Sequence, residues 1–212
     1  MQWSVTLPDC VTPIVVECLD LNRIRGPIDY MGNHLNSNLT VLTSLDGHIP
    51  DVRIVRIPRI GSYDELNGFM LRELSKHVET SHMLVFQWDG YVVNPTVWDD
   101  NWLDYDYIGA PWHSLGGRPA VGNGGFSLRS KVLMESVRVY FSNRDLPLSD
   151  SGRVMAEDLV ICAHLRPMLE ERLQVNFAPV EVACKFSVEN EKWRGQYGFH
   201  GLYTLSTSDL PS

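Results

Sequence analysis

The sequence predicts an α/β fold in which one central, mostly parallel sheet is flanked by helices. Three observations predict it. Short β-branched runs alternate with helical periodicity between Val11 and Phe86, in the order strand, helix, strand, strand, helix, strand. The composition, 44% hydrophobic and 21% charged over 212 residues, is that of a chain able to bury one core, so a single domain across 1–212 is expected. No stretch approaches the roughly 18 apolar residues of a membrane span, so none is expected.

Val11 to Leu19 (VTPIVVECL) is nearly continuous and β-branched, the texture of a strand buried on both faces. Asn22 to Leu35 spaces its apolar residues as a helix does, with Gly26-Pro27 blurring where it starts. Leu39 to Leu45 is a second strand, ended by Asp46-Gly47, and Val52 to Ile57 a third, stopped by Pro58. From Tyr63 to Val78, Leu66, Phe69, Met70, Leu74 and Val78 recur at helical spacing. Ser62 and Glu65 stand in front of them as a capping box. Met83 to Phe86 is a fourth strand. Tyr91 to Gly125 is irregular, rich in Trp, Tyr, Asp, Pro and Gly. Ser130 to Phe141 and Glu157 to Leu173 read as helices, and Phe177 to Phe186 as a late strand or two.

Lys and Arg total 18 against 26 Asp and Glu, a net charge of −8, which argues against a protein built to coat nucleic acid. The four cysteines form no CxxC pair, so a structural zinc site is not expected, and Cys18 and Cys162 read as core residues. Met1 to Pro13 lacks the basic and apolar regions of a secretory signal. A cytoplasmic location is the expectation.

Ligands of parallel α/β sheets gather beyond the carboxyl ends of the strands, which directs attention to the residues after Phe86. There QWDG (Gln87–Gly90) offers Asp89, whose carboxylate suits Mg²⁺ or Mn²⁺ held against a diphosphate, or equally a turn aspartate bonding its own backbone. VGNGGFSLRS (Val121–Ser130) packs three glycines around Asn123. It fits neither GxGxxG nor a P-loop, and its glycines allow either close approach to a ligand or a tight turn before a helix capped by Ser127 or Ser130. Glu157 and Asp158 stand at a helix start, where the dipole favours acids, and where either is placed to act as a general base. YGFHG (Tyr197–Gly201) presents His200, a candidate to complete a cation's shell. Trp88, Trp98, Trp102 and Trp112 surround these motifs, as sugar-stacking faces or as core.

Taken together, QWDG, DYDYIGAPW, VGNGGFSLRS, the ED pair and YGFHG resemble a glycosyltransferase-like family of GT-A type whose usual motifs include QTDG and FGFHG. The resemblance runs from about Val11 to Gly201 and is most specific between Asp104 and Arg129. It implies a nucleotide-binding half (about 11–90) and an acceptor and catalytic half (about 91–205). It further implies a nucleotide-sugar donor, a glycan or other hydroxyl acceptor, and Mn²⁺ or Mg²⁺ held by Asp89 and His200. By the same carry-over, Asn123, Gly124, Gly125 and Phe126 line donor and acceptor. Glu17 meets the nucleoside with Cys18, and Asp158, or second Glu157, is the base of an inverting hexosyl transfer. Two departures stand out: Trp88 replaces a small hydroxyl residue in the donor site, and Gln87 stands where a DxD pattern has its first aspartate. A non-catalytic nucleotide- or sugar-binding module and a metal-dependent hydrolase on the same residues are the alternatives.

Overall fold

A computed structural model describes residues 5–115 and 118–206, with side chains outside 113–120. The two ends of the expected domain span, and the first four residues of the Met1 to Pro13 stretch, lie outside the described residues. The chain runs β1 (Val11–Val16), α1 (Asn22–Met31), β2 (Thr40–Thr43), β3 (Arg53–Arg56), α2 (Tyr63–Arg72), β4 (His82–Val85), β5 (Tyr107–Ile108), β6 (Pro111–Leu115), β7 (Arg118–Val121), β8 (Ser127–Ser130) and α3 (Lys131–Tyr140). There follow α4 (Glu157–Leu159), α5 (Arg166–Leu173), α6 (Val180–Phe186), β9 (Ser187–Val188) and β10 (Gly198–Phe199).

Six strands form one sheet in the order β3-β2-β1-β4-β8-β5. β3, β2, β1 and β4 are mutually parallel, with Ile14 opposite Thr40, Val11 opposite His82 and Thr40 opposite Arg53. β8 alone runs against its neighbours, pairing Val85 with Ser127 and Ile108 with Leu128. That reversal matters for the site: the residues that lead into β8 reach the sheet at the end where β1 and β4 leave it. Two small ladders flank the sheet, β6 with β7 and β9 with β10.

The period of two along β1 sends alternate residues to opposite faces. Val11 and Val15 join the core under α1 with Ile24, Ile28, Met31, Leu84 and Phe86. Ile14 joins the other core with Leu42, Met83 and Val85, covered by Met70 and Leu71 of α2 and by Leu133, Met134 and Val137 of α3. Burial on both faces is why this half of the chain reads as nearly unbroken apolar runs.

Ser62 caps α2 as expected, its Oγ accepting from the Glu65 N–H at 3.2 Å, while the Glu65 carboxylate reaches back one residue further, to the Gly61 N–H at 2.6 Å. Ser130 rather than Ser127 caps α3, accepting from the Leu133 N–H. All four cysteines are free thiols, with Cys18 and Cys162 buried.

The sheet is mostly parallel, as expected, and mixed only through β8, formed by SLRS, which is too short and polar to read as a strand. Two expectations are corrected. Val180 to Phe186 is a helix, not a strand: Ala183 and Phe186, three apart, share its buried face, and Pro179 ends the extended segment before it. The stretch from Glu157 to Leu173 is interrupted, α4 passing into a π-turn over Val160–His164 before α5 restarts with Pro167 in its first turn.

Candidate active site

Three groups of residues meet at the carboxyl ends of β1 and β4. The first follows β4, where Gln87 and Gly90 close a tight turn by exchanging backbone hydrogen bonds of 2.8 and 3.2 Å. That turn holds Trp88 38% exposed and carries Asp89 on its shoulder. The second is the segment Asn123 to Phe126 that enters β8. Asn123 adopts a left-handed backbone (φ 69°), its Oδ1 accepting from the Phe126 N–H and its carbonyl from the Tyr107 hydroxyl. The third is the β9–β10 pair, whose register sets Val188 opposite Phe199 and so delivers Glu189 and His200 side by side.

His200 joins all three. Its Nδ1 lies 3.0 Å from Glu189 Oε1 and 2.8 Å from Asn123 Nδ2, and its Nε2 lies 3.8 Å from Asp89 Oδ1. Asn123 Oδ1 is already engaged, so its amide presents N–H to the imidazole, and the two demands on Nδ1 conflict: a carboxylate needs Nδ1–H and an amide donor needs a lone pair. Burial disfavours the imidazolium, yet the Glu189 hydrogen bond and the charges of Asp89 and Glu189 outweigh it and raise the His200 pKa. Burial pushes Glu189 the other way, and its bonds to His200 and Asn123 leave its pKa lowered. Both shifts favour Nδ1–H donating to a charged Glu189, which aims Nε2 toward Asp89. Glycine is required beside this ring: a Cβ on Gly125 would stand 2.1 Å from His200 Nε2, and one on Gly90 2.9 Å from its Cδ2.

The adjacent acids Glu157 and Asp158 differ in what holds them. Glu157 takes both arms of Arg129, at 2.8 and 3.0 Å, and Arg129 is fully buried, bonded also to Ser127 Oγ and the Gly124 carbonyl and stacked 5.3 Å from the Tyr107 ring centroid. The Glu157 carboxylate is thereby committed, which makes it a structural partner rather than a free base. Asp158 accepts one N–H on each oxygen, from Gly124 and from Leu159, both at 2.8 Å, and each oxygen keeps a second lone pair. Burial, and then the Glu157 charge, raise its pKa to about 6.

Two adjoining cavities occupy this end of the sheet. One, of about 510 Å³, is lined by Asp158, Glu157, Glu189, His200, Trp112, Tyr63 and residues 123–125. The other, of about 370 Å³, is lined by Glu17, Cys18, Arg23, Ser62, Trp88 and apolar residues of β1. Tyr63, Leu66 and Gln87 line both, so the two form one cleft.

Of the residues singled out in the sequence, Asp158, Glu157, Asn123, Gly124, Gly125 and His200 meet in the first cavity, and Glu17 and Trp88 in the second. Asp89 abuts His200 behind the turn. Phe126 does not line the cleft. It is fully buried and stacked on Phe186, so it anchors the loop instead of touching a ligand. Trp98 and Trp102 likewise pack into an aromatic core around Tyr197, away from the cleft. Arg129, Glu189, Tyr63 and Arg23 are site residues that the sequence reading missed. Arg129 stood inside the glycine-rich motif, but the other three carry no motif signal.

Among the described residues no group of three or more His, Cys, Asp or Glu assembles a ready-made metal site. A two-ligand site still fits. Asp89 Oδ1 is buried without a hydrogen-bond partner, and its 3.8 Å separation from His200 Nε2 is within the span of two ligands each about 2.0–2.1 Å from one divalent ion. Cations of this kind commonly complete their shell with substrate phosphates and water.

The fold resembles that of a glycosyltransferase involved in the glycosylation of the major capsid of PBCV-1, with a TM-score of 0.53 and 13% identity over 90% of this chain and 92% of that one. A mannosyltransferase from Pyrobaculum calidifontis, solved with GDP-Man and Mn²⁺, matches at a TM-score of 0.38 and 14% identity over 65% of this chain and 50% of that one. A search of curated proteins finds no match to the sequence. No described helix is long and apolar enough to cross a membrane. Residues 51–200 match a family described as protein of unknown function, DUF5672, and the chain belongs to that family.

Proposed function

We propose that the protein is a glycosyltransferase that moves a hexosyl group from a nucleotide-sugar donor to an acceptor hydroxyl, with inversion and with a divalent cation. The observation that carries this reading is Asp158: a carboxylate with free lone pairs and a pKa raised to about 6, facing a cavity at the sheet end where such folds bind ligands. At neutral pH it is mostly ionised and placed to accept a proton.

The nucleotide half, about 11–90, supplies the cavity bordered by Glu17 and Trp88 for the nucleoside. The acceptor half, about 91–205, supplies Asp158, the glycine segment and Trp112. As the acceptor oxygen bonds to the anomeric carbon, the bond from that carbon to the donor phosphate breaks with its electron pair leaving on the diphosphate. The hydroxyl proton passes to Asp158. A base opposite the leaving group implies inversion. The Gly124 N–H holds the carboxylate in place, and Arg129, by gripping Glu157 and the Gly124 carbonyl, fixes both walls. Asp89 and His200 are the residues that would hold Mn²⁺ or Mg²⁺, which neutralises charge on the leaving diphosphate.

One observation favours a second reading, a nucleotide-sugar-binding module without turnover: Gln87 stands where a first metal-binding acid is expected. Incubation with a panel of UDP- and GDP-sugars, Mn²⁺ and simple glycoside acceptors separates the two. Release of nucleoside diphosphate together with a β-linked product from an α-linked donor supports transfer. Binding with no release supports the module, and free sugar formed without an acceptor supports hydrolysis.

A further inference from the structure

A donor diphosphate brings two or more negative charges into this cleft, and the lining carboxylates of Glu17, Glu157, Asp158 and Glu189 oppose it. Only Glu157 among them has a buried arginine to offset it. Arg23 is the one Lys or Arg among the described lining residues of the two cavities. It sits in the first turn of α1, which carries no acid there, and where a cation opposes the helix dipole. Its position therefore needs another cause.

Two contacts hold it. The guanidinium lies 4.6 Å from the Trp88 ring centroid, and one of its nitrogens lies 3.4 Å from Glu17 Oε2. The Glu17 carboxylate is itself fixed, its other oxygen accepting from the Leu19 and Asp20 N–H groups. The single long contact to Glu17 leaves most of the guanidinium donors available, and the side chain is 31% exposed. Trp88 immediately precedes Asp89, so the face that carries Arg23 belongs to the same turn as the residue assigned to the cation.

We propose that Trp88 is a platform that presents Arg23 to the donor's phosphates, making Arg23 a donor-binding residue and giving the indole a role that a small hydroxyl residue in its place lacks. This rests on the glycosyltransferase reading above. A guanidinium fork matches two phosphate oxygens, and its stacking on an aromatic face pre-sets its orientation.

Calorimetric titration in the presence of Mn²⁺ tests it, with UDP, GDP, uridine and guanosine as probes. Charge-assisted hydrogen bonds of this kind predict that Arg23→Gln weakens UDP or GDP binding by about tenfold or more while nucleoside binding is unchanged. Arg23→Lys recovers part of the loss, and Trp88→Leu, which keeps an apolar side chain but removes the π face, loses more diphosphate affinity than nucleoside affinity, the indole also bordering the nucleoside cavity. Arg23→Gln binding the diphosphate as tightly as the wild type, or losing nucleoside and diphosphate equally, overturns the proposal and leaves the glycosyltransferase reading standing. A wild-type protein that binds neither UDP nor GDP overturns both.

Discussion

The two halves of the chain bring chemistry to the cleft by different means. From Val11 to Gly90 the work is done by strand ends: β1 and β4 are buried on both faces, their register is set by apolar packing, and Glu17, Trp88 and Asp89 simply follow them. From Tyr91 onward the chain shares both apolar cores, but the residues that reach the cleft are positioned by polar contacts between segments far apart in sequence. Arg129 ties Glu157 to Gly124, Gly124 ties to Asp158, and Glu189 ties to His200 and Asn123. The first half is insured by many interchangeable apolar contacts. The cleft residues of the second rest on a few polar ones as well, and losing a partner there leaves a costly orphan.

The comparison is broken most severely, and first, at Asp158. Asp158→Asn is expected to lower the transfer rate by about 10²–10⁴-fold in a protein that still folds, the range for removing a general base. Retained transfer in the donor panel would remove Asp158 from the reaction. Below pH 6 the wild-type rate should also fall, because protonation empties the base as pH drops through its pKa of about 6. Next in size is Arg129→Met, which strands the Glu157 carboxylate in the interior. Chemical denaturation should show a loss of about 3–5 kcal/mol, the usual cost of breaking a buried pair from one side. A loss below about 1 kcal/mol, the scale of an exposed pair, would show that the second half is not held as described.

The same contrast decides what was legible in the sequence. Strands β1 to β4, α2 with its Ser62 cap, and α3 are readable because apolar spacing dictates them locally. The polar partners are not, because no local pattern links Arg129 to Glu157 or Glu189 to His200. Those pairs exist only once β8 runs antiparallel and β9 lies beside β10. Trp98 and Trp102 show a choice that the sequence leaves open, sugar-stacking face or core, and tilted and edge-on packing against Tyr197 and Phe186 decides it for the core. Val180 to Phe186 reads as a strand because its alternating valines imitate one until Pro179 and the Ala183–Phe186 face are weighed.

A smaller effect sharpens the contrast further. The Asp158 pKa is raised on folding, so the native state favours its protonated form. That favour is present below the unfolded pKa of about 3.8 and is lost as pH rises through about 6. At pH 7 the ionised carboxylate therefore destabilises the fold, and Asp158→Asn should stabilise it. A shift of about two pH units corresponds to about 3 kcal/mol, from which about 1 kcal/mol is lost because an amide accepts through one oxygen only. The expected net gain is about 1–2 kcal/mol at pH 7, vanishing near pH 4, in thermal unfolding followed across pH.

The smallest expected effect belongs to the first half. Ser62→Ala removes the Oγ that accepts from the Glu65 N–H at the start of α2. The Glu65 carboxylate still holds the Gly61 N–H, and Met70 and Leu71 still bury α2 against the sheet, so the helix keeps its packing. The cost should be about 1 kcal/mol, that of an N-cap alone, read as a lower urea midpoint with an unchanged slope. A cost comparable to that of Arg129→Met, or a changed slope, would mean that α2 depends on its cap as the second half depends on Arg129. The division between cleft residues placed by apolar packing and those placed by polar contacts would then fail at the element where Tyr63 joins the two cavities.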